Sequence, residues 1–95
     1  MDAGLLLTKD NKPAELRAFL DNNPNYDIDK QLTDGNTLLI IAAEKGYPDI
    51  AKVLLDKGAE VDRRDTEDFT ALYIASAYGY IDTVRVLLDR GADVN

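Results

Sequence analysis

Thr37-Leu38-Leu39-Ile40-Ile41-Ala42-Ala43 returns 33 residues later as Thr70-Ala71-Leu72-Tyr73-Ile74-Ala75-Ser76, and this return decides the fold. The repetition extends outward in the same register. Gly46-Tyr47-Pro48-Asp49 becomes Gly79-Tyr80-Ile81-Asp82, and Val53-Leu54-Leu55-Asp56-Lys57-Gly58-Ala59 becomes Val86-Leu87-Leu88-Asp89-Arg90-Gly91-Ala92. A period of this length marks supersecondary units that stack on one another.

Each unit reads as two helices. Thr37 is a good N-cap for a helix running through Lys45, and Gly46 supplies the left-handed residue that ends it. Pro48 opens the next segment, where its missing N–H costs nothing. That second helix carries Ile50, Val53 and Leu54 at helical spacing, turns Lys52 outward and closes at Gly58. Helices this short are marginal alone, and a single pair cannot bury its own apolar faces. Stacking is therefore required.

These residues resemble the ankyrin-repeat family, whose units run as a turn, a T-P-L-H-x-A-A helix, a G-H turn, an I-V-K-L-L-L helix and a G-A-D-V-N finger. Gly58-Ala59-Glu60-Val61-Asp62 and Gly91-Ala92-Asp93-Val94-Asn95 are the fingers. The implied fold is all-α, an ankyrin-repeat solenoid of helix-turn-helix units with short finger hairpins. Residues 1–31 form a divergent N-terminal capping repeat, 32–64 the second repeat and 65–95 the third. In the first unit Leu16-Arg17-Ala18-Phe19-Leu20 is a second helix introduced by Pro13, and Asn22-Asn23-Pro24-Asn25-Tyr26 carries about two residues more than the later turns.

The sequence departs from the family pattern in four respects, the first being Leu38 and Ala71 where the T-P-L-H motif has Pro. The family His, which ties neighbouring turns together by hydrogen bonds, is replaced by Ile40 and Tyr73, so weaker hydrogen bonding between repeats is expected. The turn Gly35 has Asp68 as its counterpart. Asn95 stops at a finger that would lead into another repeat, which leaves Val84, Leu87 and Leu88 expected to be partly open to water. Such a surface points to a fragment of a longer repeat protein, or to self-association through the open C-terminal end.

Composition narrows the chemistry. The chain is 45% apolar and 31% charged, with a formal charge of -7, which argues against nucleic acid and anionic membranes as partners. It has no Cys and no His, which removes thiolate and imidazole chemistry and the usual zinc sites. Ser76, the single serine, falls in a helix without a base. No stretch is long enough to span a bilayer, and an acid stands at Asp2 where a secretory signal wants Lys or Arg, so an intracellular location is expected. No enzymatic activity, cofactor or metal is expected. A calcium loop over Asn23–Asp34 fails at Ile28, where Gly is needed.

The resemblance implies a protein–protein interaction module that binds through finger tips and the outward positions of each first helix. Carried over by alignment, the protein-binding residues are Thr33, Asp34, Asn36, Glu44 and Lys45 in the second unit, and Thr66, Glu67, Phe69, Ala77 and Tyr78 in the third. Phe69 and Tyr78 are aromatic where the family is polar, and exposed aromatics anchor interfaces. Tyr47 and Tyr80, at the G-H position, are expected to fill seams between units. Local ion pairing is expected of Arg63 and Arg64 among their acidic neighbours. Leu88–Asn95 also looks like a sequence that asparaginyl hydroxylases recognise in this family, although an Asn that closes the finger is the simpler reading. The alternative function is an accessory domain that positions the catalytic part of a longer enzyme or effector.

Overall fold

Caps and turns act as the sequence requires. The computed structural model describes residues 2–32 and 35–94, so the expectations for Thr33, Asp34 and Asn95 fall outside the described residues. Six helices follow in order: α1 (Ala3–Lys9), α2 (Pro13–Asn22), α3 (Leu38–Lys45), α4 (Pro48–Asp56), α5 (Ala71–Tyr78) and α6 (Ile81–Asp89). The Thr37 hydroxyl accepts from the Ile40 amide at 3.3 Å and the Thr70 hydroxyl from the Tyr73 amide at 3.2 Å. Gly46 and Gly79 end the two helices in the left-handed region, at φ 67° and 74°. Pro13 and Pro48 sit in the first turn of α2 and α4.

The helices form two layers. α1, α3 and α5 stack in one, and α2, α4 and α6 in the other. The core between them is built by Leu16, Leu38, Ile40, Ile50, Leu54 and Leu87, each at most 1% exposed. Among the described residues the fold is all-α; its extended pairing is an isolated antiparallel bridge between Arg64 and Thr70 at the base of the second finger.

The first repeat has a complete helix pair, although α1 lies outside the 33-residue register. Asp2 and Thr37 are both N-caps and lie 35 residues apart, as do Pro13 and Pro48, whereas Ile28 and Val61 lie 33 apart. The two additional residues in the turn after α2 displace α1 from the register and conceal its likeness to α3.

Contacts between repeats come from sources other than the missing histidines. Ile40 is buried, and Tyr73 is 56% exposed with its ring stacked on Phe69. The Asp29 carboxylate instead accepts from the Glu60 amide at 3.0 Å, and one period later Asp62 accepts from the Asp93 amide at 2.9 Å. The outer layer adds ion pairs from Asp56 to Arg17 and Arg90, and from Lys57 to Asp21. The Tyr80 ring covers Gly46, where a Cβ would come within 2.7 Å of it, so Tyr80 does fill the seam. One expectation needs correction: Leu87 is fully buried, because its position on α6 faces α4 and α5. The open flank consists of Leu88, 43% exposed, and half-buried Val84.

Candidate protein-binding surface

The finger tips between successive units, one spanning Leu32 to Asn36 and the next Asp65 to Phe69, are each closed by a backbone hydrogen bond. The Leu32 amide donates to the Asn36 carbonyl at 2.8 Å, and one period later the Asp65 amide donates to the Phe69 carbonyl at 2.9 Å. In the second finger the Asp65 carboxylate also accepts from the Glu67 and Phe69 amides, both at 2.9 Å, which sets the directions of Thr66 and Glu67. Asp68 is held at φ 71°, the conformation that Gly35 adopts at φ 74°. The Thr66 methyl packs on the bare Cα of Gly35, so neighbouring finger tips touch. Arg63 pairs with Glu60 at 3.0 Å and Arg64 with Asp68 at 3.6 Å, as local ion pairs.

Along the inner layer a depression of about 460 Å³ crosses all three repeats. Leu5 and Lys9 of α1, Ile41, Glu44 and Lys45 of α3 and Tyr78 of α5 line it, with Asn36 at the finger side. The Asn36 side-chain amide donates to the Glu44 carboxylate at 3.1 Å, which fixes both polar groups at the rim. Tyr78 is 61% exposed, and its ring stacks on Tyr80 at 5.6 Å between centroids.

α1 is held at this groove by a polar cluster behind it. The Asp2 carboxylate caps the Leu5 amide at 3.0 Å, accepts from the Tyr26 hydroxyl at 2.7 Å and pairs with Lys30 at 2.7 Å. Burial pushes the Asp2 carboxyl up, but the bonds from Lys30, Tyr26 and Leu5 together outweigh it and hold the group below the ordinary carboxylate range. Burial, and then the Asp2 carboxylate, push the Tyr26 hydroxyl well above the ordinary tyrosine range. Asn23-Pro24-Asn25-Tyr26, weighed above as part of a cation loop, serves to bring Tyr26 to Asp2. Its turn is closed by a 3.0 Å bond from the Tyr26 amide to the Asn23 carbonyl.

A second depression, about 500 Å³, lies on the flank of the third repeat. Phe69, Leu72, Tyr73, Val84, Leu88 and Val94 give it an apolar floor, and Asp62, Arg64, Asp68 and Asp93 stand at its edges. Phe69 and Tyr73 stack there at 4.6 Å with an interplanar angle of 12°.

A family model for ankyrin repeats matches residues 5–95 in three copies. The chain belongs to the ankyrin-repeat family. No curated protein matches it. Ankyrin repeats are generally protein–protein interaction modules and typically non-catalytic. Among the described residues no helix is long and apolar enough to cross a membrane, and no group of three or more acidic side chains is placed to hold a metal ion.

Within this ankyrin stack the aligned site residues divide between surfaces. Asn36, Glu44, Lys45 and Tyr78 line one inner groove, with Ala77 exposed on α5 beside Tyr78. Thr66 and Glu67 form the second finger tip. Phe69 lines the flank depression and not the inner groove that Tyr78 lines. The groove also takes in Leu5, Lys9 and Ile41, which alignment does not single out. Leu5 and Lys9 stand on α1, displaced from the register, and Ile41 is 7% exposed, a core residue whose edge reaches the groove floor.

Proposed function

We propose that this ankyrin domain is a non-catalytic module that holds another protein along its inner groove and finger tips. Asn36, Glu44, Lys45, Thr66, Glu67, Ala77 and Tyr78 supply the contacts, and Thr33 and Asp34 are proposed for the first tip by alignment. The observation that carries this reading is the groove itself: a concave strip contributed by all three repeats, with an exposed aromatic beside a fixed polar rim. The module works inside the cell and neither nucleic acid nor membrane is its target, in keeping with its acidity. The same groove serves if the domain positions a catalytic part elsewhere on a longer polypeptide. Tyr78→Ala tests the reading: affinity for a bound protein falls at least about tenfold if Tyr78 anchors it. Unchanged affinity would sink the groove as the site.

A second reading concerns the flank. Tyr73, Leu88 at 43% and Val94 at 73% exposure favour self-association of two copies through this apolar face. Sedimentation velocity over a concentration series tests it. A dimer that Leu88→Asp abolishes supports the contact, and a monomer at all concentrations removes it.

A further inference from the structure

The inner groove differs electrically from the rest of the molecule. The chain has 11 Lys and Arg against 18 Asp and Glu. Among the described residues Arg17, Lys30, Lys52, Lys57, Arg63, Arg64, Arg85 and Arg90 are each within 4.0 Å of a carboxylate. The cations without such a partner are Lys9, Lys12 and Lys45, and two of these three line the groove. Lys12 follows at the turn just beyond α1. The groove's own acid, Glu44, accepts from the neutral Asn36 amide at 3.1 Å and keeps its charge, so the two lysines outnumber the one acid in the lining. Two of the three lysines that this acidic protein leaves without a carboxylate thus stand beside an apolar floor of Leu5 and Ile41 and the open face of Tyr78.

From this juxtaposition we propose that the groove selects a peptide segment bearing Asp or Glu next to an aliphatic or aromatic anchor. The inference rests on the reading of the groove as a protein-binding site and adds the chemistry of what binds. The anchor packs between Leu5, Ile41 and Tyr78 and supplies most of the affinity, because desolvated apolar and aromatic contacts dominate interface energies. The carboxylates sit against the Lys9 and Lys45 ammonium groups, which are water-exposed and so contribute chiefly to selectivity and orientation. The same arrangement rejects a basic segment, which would leave two lysines facing like charge. A nucleic acid, whose charge is continuous, meets the repulsion of the whole -7 particle without an apolar anchor to offset it.

The experiment is selection from a displayed library of random peptides on the intact 95-residue chain, on Lys9→Glu/Lys45→Glu and on Tyr78→Ala. Both lysines are exposed, so the charge-reversed variant should keep the parent's helical circular dichroism. The parent is expected to enrich peptides that combine Asp or Glu with Leu, Phe or Trp, binding the charge-reversed variant at least about tenfold more weakly. The charge-reversed variant should in turn enrich Lys- or Arg-bearing peptides. Peptides that depend on Tyr78 but show no acidic bias and bind both charge forms equally overturn the inference while leaving the groove as a binding site. Peptides indifferent to all three side chains, or no enrichment at all, overturn both.

Discussion

The Asp29 carboxylate accepts a hydrogen bond from the Glu60 backbone amide at 3.0 Å, and one period on Asp62 does the same for Asp93 at 2.9 Å. Each bond ties the finger base of one repeat to that of the next, a tie the family makes elsewhere with its histidine. Asp29→Ala and Asp62→Ala should each destabilise the fold by about 1 kcal/mol, the ordinary net value of such a bond. Asn, whose side-chain oxygen still accepts, should retain most of that stability. Urea denaturation of the four variants measures the difference.

Asp56 joins all three repeats by pairing with Arg17 at 2.8 Å and Arg90 at 2.6 Å. The hydrogen bond from Arg17, then that from Arg90, holds its carboxyl below the ordinary range. Because the folded value is depressed, the stabilisation is fully present above the unfolded carboxylate value and is lost as pH falls through the folded one. Asp56→Asn should therefore lower Tm at pH 7 and cost progressively less in acid. The groups are partly exposed, so the difference should also shrink in high salt. Thermal melts across pH and ionic strength read both effects.

Thr83 is 1% exposed, and its hydroxyl has no hydrogen-bond partner among the described residues, at the position where the preceding repeat buries Ile50. A buried hydroxyl without a partner carries a desolvation cost that an isosteric apolar side chain avoids. Thr83→Val should stabilise the domain by about 1 kcal/mol, raising Tm by roughly 4–8 °C at this size. Calorimetry of the single variant decides it, and a lowered Tm would show that the hydroxyl is satisfied.

Asp68 adopts φ 71° where the preceding finger uses Gly35. A side chain in this left-handed conformation costs energy that glycine does not pay, although Asp tolerates it better than most. Asp68→Gly should stabilise by about 0.5 kcal/mol; it forfeits the 3.6 Å ion pair with Arg64, whose members are too exposed to matter much. A loss of stability on equilibrium unfolding would mean that the ion pair outweighs the strain.

Most of the architecture is legible in the residues themselves. Thr37, Gly46 and Pro48 act on their own neighbours through caps and dihedral limits, so their effect on the backbone is local, and a 33-residue return of such signals specifies stacked helix pairs. The first repeat was less legible. Asp2 has the same capping role as Thr37, but two additional residues in the following turn remove it from the register that makes the other units recognisable.

The proposed binding surface divides in the same way. Family alignment singles out Asn36, Glu44, Lys45 and Tyr78, and these residues do share a groove. It also groups Phe69 with Tyr78, whereas the stack directs Phe69 onto Tyr73 at the flank. Sequence by itself therefore determined the repeat, its helices and the absence of thiol and imidazole chemistry, because these follow from residue type and short-range periodicity. Tertiary structure alone decided which lysines are left without carboxylates, that Leu87 is covered while Leu88 is not, and that α1 completes the groove. Those outcomes depend on side chains brought together from repeats more than thirty residues apart, and a single period contains no record of that.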